Sequence, residues 1–296
     1  MAPEVFESIE RLRDRVAGDR RAGRRIGLVP TMGALHAGHE RLIKLARAEC
    51  DVVLVSIFVN PLQFDREDDL RNYPRSMDAD LDACTSSGVD IVFAPAVADM
   101  YPAPLECTVD VGRIADHLCG RSRPGHFRGV ATVVMKLLQI AQPDRAYFGE
   151  KDAQQLAVIR RLVSDLNVPV TIVAVPTVRD LDGLALSSRN QRLSPEDRRA
   201  APVLYEALGG ARQQIASGVT DVAELRRTAM HVIEEHPGVT LEYFDIVDPH
   251  DMQPVEIVER PVIAAGAIWV GSTRLIDNVL CVPPVAAPKP RGEGGS

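Results

Sequence analysis

Short valine-rich apolar segments alternate with amphipathic segments through the first 178 residues of the chain. Continuous apolar runs of this kind are typical of parallel strands buried on both faces, and the segments between them repeat their apolar residues at the spacing of a helix face. The alternation predicts a doubly wound α/β domain with a parallel sheet. The predicted strands are residues 26–29, 51–59, 90–93, 145–148 and 170–175, and the predicted helices are 4–20, 40–49, 77–87, 130–140 and 153–166.

The pattern changes after Pro176, where a polar loop and two long helical segments replace the alternation. Ser194 and Pro195, followed by two acidic residues, are typical of a helix start. A smaller α+β domain with an antiparallel sheet is therefore expected, with a tight hairpin at Gly271-Ser272. Its predicted helices are 195–217 and 221–236, and its predicted strands are 240–247, 262–270 and 273–279. The expected domains are 1–178 and 179–283, followed by a disordered tail at 284–296 that is rich in proline and glycine.

Two stretches of the first domain lack clear periodicity. The acidic residues 65–69 are expected to form a solvated loop, and residues 94–128 a long irregular segment with one short strand near 108–111. A long irregular segment in a compact domain is often a functional lid. Arg121, Arg123, His126 and Arg128 make this one locally basic, which fits a solvated loop and a phosphate contact equally well.

Composition and charge exclude several classes of function. The chain is 46% apolar and 25% charged, has a charged amphipathic N-terminus, and has no apolar run long enough to cross a bilayer. A cytoplasmic protein is expected, without a membrane partner. The formal net charge of −7 argues against a nucleic-acid partner, because a binding face needs a basic surplus. The five scattered cysteines fit reduced thiols, and His117, Cys119 and His126 match no common zinc spacing, so no metal ligand is assigned.

The most informative stretch is RIGLVPTMGALHAGHE at residues 25–40. A buried strand, a glycine turn and a helix start direct backbone N–H groups at an anion. His36 and His39 lie three residues apart at this helix start and can reach one phosphate together, and Gly38 between them allows a ligand to approach the backbone. A single histidine here would be read as a turn or cap residue. The pair favours a nucleotide site.

Three other segments place polar groups after predicted strands. Asn60 and Gln63 follow the second strand, where ligands of open α/β sheets bind. Lys151, Asp152 and Gln155 follow a later strand, and Ser187, Ser188 and Arg189 lie in the polar loop. These side chains offer the donors and positive charge that a triphosphate needs. Neither GxxxxGK[ST] nor GxGxxG occurs, and no activated nucleophile is evident. The residues alone therefore indicate an α/β nucleotide-binding enzyme that acts on phosphates.

Several blocks of the sequence resemble one family in the same order. TMGALHAGH resembles the HxGH signature of the nucleotidylyltransferase superfamily in the form seen in pantothenate synthetases. SIFVNPLQF, YPR, RPGHFRGV, YFGEKDAQQL, VPTVRDLDGLALSSRN and IAAGAIWVGSTRLIDN match that family as well, so the resemblance covers residues 4–280. It implies a Rossmann-like domain with a smaller C-terminal domain that closes over the site, and a homodimer. The implied reaction joins (R)-pantoate and β-alanine through a pantoyl-adenylate, with ATP and Mg²⁺.

The resemblance also implies roles for individual positions. His39 matches the catalytic proton donor, with His36 beside it on the phosphates and Lys151 as the phosphate ligand. Gln63 and Gln155 match the pantoate-binding glutamines, and Gln63 lies near the β-alanine position as well. Val178 is expected to contact adenine through its backbone. The full implied ATP site comprises Pro30, Thr31, Met32, Gly33, Ala34, Leu35, His36, Ala37, Gly38, His39, Gly149, Glu150, Lys151, Asp152, Val178, Leu186, Ser187, Ser188 and Arg189.

Two positions depart from the family pattern. Leu186 replaces the usual methionine, an apolar exchange of similar volume from which little effect is expected. Ala79 stands where some relatives carry an acid, so no metal is assigned there. Three alternatives remain open. The first is another HxGH nucleotidylyltransferase that acts on a phosphorylated alcohol, which would not need Gln63 and Gln155. The second is an aminoacyl-tRNA synthetase fragment, which would need a basic surface. The third is a non-catalytic nucleotide sensor, which should lack a catalytic residue.

Overall fold

The computed structural model describes residues 2–284, and its larger sheet has six parallel strands in the order β1-β4-β3-β2-β5-β6. These strands are Glu4–Phe6 (β1), Ile26–Thr31 (β2), Val52–Ile57 (β3), Ile91–Phe93 (β4), Arg145–Gly149 (β5) and Thr171–Val175 (β6). From β2 the chain moves outward through β3 to β4, and then returns to the other side of β2 with β5 and β6. The crevice beyond the carboxyl ends of strands at such a reversal is the common ligand site of open α/β sheets.

Helices cover both faces of this sheet, because successive residues of a buried strand point to opposite sides. On β3, Val52 and Leu54 join one apolar core, and Val53 and Val55 join another. The helices up to β6 are Ile9–Arg21 (α1), Ala37–Glu49 (α2), Glu67–Arg71 (α3), Met77–Ser86 (α4), Val97–Met100 (α5), Leu118–Ser122 (α6), His126–Ala141 (α7) and Ala153–Asp165 (α8). Among the described residues, no helix is long and apolar enough to span a membrane.

The C-terminal part forms a second unit around an antiparallel sheet of order β7-β8-β9. Its strands are Val239–Val247 (β7), Val262–Val270 (β8) and Thr273–Cys281 (β9), and its helices are Pro195–Ala200 (α9), Val203–Ala216 (α10) and Val222–Glu234 (α11). A separate apolar core joins α10 and α11 to this sheet. Met252 and Ala265 instead pack into the core of the first unit, so the two units touch through apolar side chains. The predicted fold class, a doubly wound parallel sheet with a smaller α+β unit, is confirmed.

Several predicted boundaries are wrong, each for a local reason. Residues 4–6 form the edge strand β1, which pairs with β4, and the helix begins only after Ser8, whose Oγ accepts from Arg11 N. The predicted helix 195–217 is two helices, because Pro202 has no N–H to continue the first one. No strand forms at 108–111, where Val109 N donates to Thr132 Oγ1 on α7 at 3.0 Å. The tail prediction concerns residues of which 285–296 lie outside the described part.

Two helices begin earlier than predicted, and both differences bear on the site. The predicted helix 40–49 begins at Ala37, and the predicted helix 130–140 begins at His126. The acidic stretch 65–69, expected to be a solvated loop, leads into the short helix α3. Its residue Asp69 is only 21% exposed and pairs with two arginines of the second unit.

Candidate active site

A cavity of about 280 Å³ lies beyond the carboxyl ends of β2, β3, β5 and β6, and residues of the second unit line its other side. It brings together most of the residues singled out in the sequence. On its wall are Pro30, Thr31, Met32, His36, Gly38, His39, Gln63, Gly149, Lys151, Asp152, Gln155, Val178, Leu186, Ser187, Ser188 and Arg189. Gly33, Ala34, Leu35, Ala37 and Glu150 from the expected ATP site do not line it.

The turn after β2 is held in one conformation by its own polar groups. Thr31 Oγ1 donates to Ser56 O at 2.7 Å and accepts from Gly33 N at 3.2 Å. Gly33 has φ +79°, and a Cβ there would lie 2.8 Å from Asp80 Oδ2. Glycine is therefore required at this position by backbone conformation and by space.

A buried carboxylate on α4 supports the same turn. Asp80 is 2% exposed and accepts from Ala34 N at 2.9 Å and from Leu35 N at 2.7 Å. These contacts explain why Ala34 and Leu35 lie behind the cavity wall. The role of Asp80 was not predicted from the sequence. The available signal was its position four residues before Cys84, which places an acidic residue on the buried face of an amphipathic helix.

His36 and His39 cap the N-terminus of α2 reciprocally. His36 Nδ1 accepts from Gly38 N at 3.1 Å, and His39 Nδ1 accepts from His36 N at 3.3 Å. Because each Nδ1 is an acceptor, each neutral ring carries its proton on Nε2. The ring centroids lie 4.1 Å apart. A Cβ at Gly38 would lie 2.7 Å from His36 Cε1, so a side chain here would displace the His36 ring from its cap.

Both rings are neutral at pH 7. Burial and the nearby Lys151 ammonium lower the pKa of His36 to about 4. Burial and the adjacent His36 lower the pKa of His39 to about 3. The pair therefore presents two Nε2–H donors rather than two cations, beside the N-terminus of a helix.

Asn60 positions Gln63 and does not offer free polar groups of its own. It is 1% exposed, its Oδ1 accepts from Tyr101 Oη at 2.8 Å, and its Nδ2 donates to Gln63 Oε1 at 3.0 Å and to Gly129 O at 3.1 Å. The expectation that Asn60 contacts a ligand directly is thus replaced by a supporting role. Gln63 Nε2 lies 3.2 Å from Met32 Sδ, a weak acceptor, and can donate to a stronger one.

The basic segment before α7 contacts the site through only some of its residues. His126 Nδ1–H donates to Gln63 O at 2.7 Å, and Arg123 Nη2 donates to the same carbonyl at 3.1 Å. Burial and the Arg123 guanidinium lower the pKa of His126 to about 4. Arg121 and Arg128 are exposed and do not line the cavity.

Lys151 and Gln155 stand beyond β5 with free polar groups. Lys151 is half-buried, and its Nζ lies 4.0 Å from Asp152 Oδ2, too far for a strong ion pair. Gln155 makes no side-chain hydrogen bond to any residue of the described part and faces the cavity. Its neighbour Gln154 has a different task, since its Nε2 donates to Ile114 O and His117 O and thereby anchors the irregular segment to α8.

The polar loop of the second unit reaches the first unit at two places. Ser188 Oγ lies 3.4 Å from Tyr73 Oη. Arg189 Nη2 donates to Asp69 Oδ2 at 2.9 Å, and Arg192 Nη1 donates to Asp69 Oδ1 at 3.0 Å. Val178, on the same side of the cavity, accepts from Leu186 N at 3.0 Å, which fixes its backbone.

Comparisons with known proteins identify the family. The family profile described as pantoate-beta-alanine ligase matches residues 4–280. The chain belongs to the pantoate–β-alanine ligase family. A pantothenate synthetase of Sinorhizobium medicae is 52% identical over 280 residues, which cover 94% of this chain and 96% of that protein. The crystal structure of pantothenate synthetase from Thermus thermophilus has a TM-score of 0.88 and 44% identity, covering 93% of this chain and 98% of that one.

A third similar protein of the pantoate–β-alanine ligase family carries ligands. It is the pantoate-beta-alanine ligase of Francisella tularensis, described as complexed with beta-gamma ATP and beta-alanine. Its TM-score with this chain is 0.78 at 38% identity, covering 94% of this chain and 98% of that one. The resemblance noted in the sequence is therefore confirmed at the level of family and fold.

Proposed function

We propose that the protein condenses (R)-pantoate with β-alanine through a pantoyl-adenylate, and releases AMP and pyrophosphate. Family membership supports the reaction class. The observation that carries the proposal is the single cavity in which two neutral histidine donors and Lys151 face Gln63 and Gln155. The two histidines and Lys151 suit phosphates, and the two uncharged amides suit the hydroxyl and carboxylate groups of a small acid.

We place the triphosphate of ATP at the N-terminus of α2, with Lys151 and Arg189 on its other side. The Nε2–H groups of His36 and His39 donate to phosphate oxygens, and Lys151 supplies a positive charge that is only loosely paired with Asp152, 4.0 Å away. Arg189 is held by Asp69, so it must divide its donors between that carboxylate and a phosphate. Val178 would face adenine with its backbone.

The first chemical step needs positioning more than it needs acid or base. A pantoate carboxylate oxygen forms a bond to the α-phosphorus while the bond from that phosphorus to the bridging oxygen breaks, and pyrophosphate leaves with the electron pair. Both reactants are anions, so His36, His39 and Lys151 must offset the growing negative charge. Gln63 and Gln155 would orient pantoate for in-line attack.

In the second step the neutral amine of β-alanine forms a bond to the adenylate carbonyl carbon and the carbon–oxygen bond to AMP breaks. AMP leaves with the electron pair, and its phosphate oxygen takes the proton that the nitrogen loses. Water would hydrolyse the adenylate, so the contact of the second unit with the cavity serves to exclude it.

We propose that the two units correspond to two domains. The first domain is residues 1–178, and the second domain, which closes over the site, is residues 179–283.

We propose that Mg²⁺ enters together with ATP. The described residues bring no group of three or more His, Cys, Asp or Glu side chains together in a metal-binding arrangement. Mg²⁺ takes most of its ligands from phosphates and water in many nucleotide sites, so the donors on this wall fit a metal that the triphosphate carries. When bound, the ion would supply further neutralisation of phosphate charge.

We also propose a cytoplasmic homodimer. All five cysteines are free, in keeping with a reducing compartment. The segment 108–111 has a strand-forming sequence but no strand partner within residues 2–284, and it borders an open, mostly apolar groove of about 480 Å³ lined by Ile9, Val109, Met135 and Ile140. A second copy of the chain would cover both. Sedimentation velocity of wild-type protein and Val109→Lys tests this, since a monomeric wild type would refute it.

The decisive test is exchange of labelled pyrophosphate into ATP with Mg²⁺ and (R)-pantoate but without β-alanine. Pantoate-dependent exchange is expected, because adenylation is then a separate reversible step. His39→Ala and Lys151→Ala should abolish exchange while the purified proteins stay folded. No exchange by folded wild-type protein that binds ATP would instead favour a transferase with another acceptor or a non-catalytic nucleotide module.

A further inference from the structure

The end of β9 reaches across from the second unit to the turn that carries Lys151. Asn278 Nδ2 donates to Glu150 O and to Lys151 O, both at 2.8 Å. These two carbonyls belong to consecutive residues of the tight turn Glu150–Asp152. A primary amide carries two hydrogens on one nitrogen, so it can serve both acceptors at once. A hydroxyl could serve only one of them.

The preceding residue ties β9 to the other side of the cavity. Asp277 is 6% exposed, and its two oxygens accept from both terminal nitrogens of Arg179, with Nη2 at 2.9 Å from Oδ1. The Arg179 guanidinium also lies 4.0 Å from the centroid of the Tyr205 ring. Arg179 directly follows Val178, so this bidentate pair holds the loop that we assign to adenine.

The two anchors are coupled to each other. Asn278 N donates to Asp277 Oδ1 at 2.8 Å, and Arg179 Nη2 donates to Asn278 O at 3.3 Å. One dipeptide of β9 therefore fixes two segments, the Lys151 turn of the first unit and the loop after Val178. Both residues also line the cavity. Neither was assigned a role from the sequence.

From this arrangement we propose that Asn278 is a positioning residue that sets the height of the Lys151 ammonium in the ATP site. It acts through the backbone of the turn and does not contact the reacting atoms itself. The inference rests on the proposed function for the role of Lys151. Without the amide, two adjacent carbonyls lose their donor and the turn can rotate, which moves Nζ away from the phosphates. The loss should therefore appear as weakened ATP binding with unchanged pantoate recognition.

The test measures ATP affinity by equilibrium dialysis of labelled ATP with Mg²⁺ and no pantoate. Asn278→Ala should weaken ATP binding about tenfold, which is the effect of losing about one hydrogen bond between Lys151 Nζ and a phosphate oxygen. The KM for pantoate in pyrophosphate exchange should stay within about twofold of wild type, since we assign pantoate to the side chains of Gln63 and Gln155, which lie outside this turn. The ATP affinity of Asn278→Ser, which keeps one donor, should lie between those of Asn278→Ala and wild type. If Asn278→Ala does not fold, Asn278→Ser replaces it in every comparison.

A double-mutant cycle separates positioning from a general structural role. In the Lys151→Ala background, Asn278→Ala should weaken ATP binding no further, because there is no ammonium left to position. Additive losses would overturn the proposal, and so would an Asn278→Ala protein with wild-type affinity. Gln253→Ala is the matched control, since Gln253 Nε2 also donates from the second unit to a first-unit carbonyl, Arg113 O at 2.8 Å, outside the cavity. If wild-type protein binds ATP but shows no pantoate-dependent exchange, the proposed function fails while the cycle still decides the role of Asn278.

Discussion

Asp69 and Arg189 join two segments that lie 120 residues apart in the chain, with Asp69 Oδ2 2.9 Å from Arg189 Nη2. Burial would raise the pKa of Asp69, but the Arg189 and Arg192 guanidinium groups outweigh it and hold that pKa below its ordinary value. The carboxylate is therefore charged at pH 7. It stands beside an arginine that the proposed mechanism needs for phosphate, so Asp69 and ATP compete for the same donor.

Asp69→Asn should tighten ATP binding, because the change keeps the shape of the side chain and removes one negative charge near the triphosphate. A partly buried ion pair of this kind, with both side chains about one quarter exposed, is worth about 1 kcal/mol, so the KM for ATP should fall about fivefold. Steady-state kinetics at low and high salt measure it, and the effect should shrink as salt screens the charge. Asp68→Asn is the control, since Asp68 pairs with exposed Arg66 instead. A higher KM for ATP in Asp69→Asn would mean that Asp69 helps ATP binding by holding α3 in place, and that this effect outweighs its competition with ATP for Arg189.

Stability should fall as pH drops below about 6.5. Burial lowers the pKa values of His36, His39 and His126 to about 4, 3 and 4. Between pH 6.5 and pH 4 the unfolded chain therefore binds protons that the folded chain does not. The contribution of these histidines to the free energy of unfolding is therefore complete above pH 6.5 and is lost on acidification. The loss between pH 7 and pH 5 is at most about 2 kcal/mol for each histidine.

Urea unfolding at pH 7, 6 and 5 measures this slope. His126→Asn keeps a side-chain N–H for Gln63 O but cannot titrate, so its stability should depend on pH less steeply than that of wild type. His231→Gln is the control for replacing a histidine, because the His231 side chain is 71% exposed. Identical slopes for wild type and His126→Asn would show that His126 is not a buried neutral ring.

His39→Asn and His39→Gln should separate the two nitrogens of this ring. Asparagine places an acceptor near the position of Nδ1 and keeps the cap to His36 N, but it loses the Nε2–H donor. We expect it to fold with nearly wild-type stability and to lose about 100-fold or more in the rate of pyrophosphate exchange. Glutamine places an amide near Nε2 and loses the cap, so it should retain more activity and lose about 1 kcal/mol of stability. If His39→Gln lost more activity than His39→Asn, the functional proton would be on Nδ1.

Asp80→Asn should loosen the turn after β2. An amide keeps one acceptor and turns its NH₂ toward the second backbone N–H, so one buried donor loses its partner, at a cost of about 1–3 kcal/mol. Chemical unfolding should show this loss, and the KM for ATP should rise because Ala34 and Leu35 support the helix start. Asp82→Asn, on the exposed face of the same helix, should change neither quantity. Unchanged stability in Asp80→Asn would show that Gly33 and Thr31 hold the turn in its conformation without Asp80.

Local pattern was enough to predict most strands and the family. The apolar runs of β2 and β3 are typical of strands buried on both faces, and the structure buries them so. TMGALHAGH carries its glycine turn and histidine pair within nine residues. Such features depend on neighbours in the chain, so periodicity and short motifs reveal them. The strand β1 escaped because its three residues have no periodicity and gain their order from pairing with β4.

The sequence by itself determined the parallel sheet, the antiparallel second unit and the residue types at the ends of the strands. Tertiary structure alone decided which polar groups are free. The side chain of Asn60 is hydrogen-bonded to Gln63 and Tyr101. The guanidinium of Arg189 is paired with Asp69, and Asn278 donates to the Lys151 carbonyl from 127 residues away. The physical reason is that hydrogen bonding and desolvation depend on which groups meet in space, and long-range meetings of single side chains leave no periodic signal in the chain.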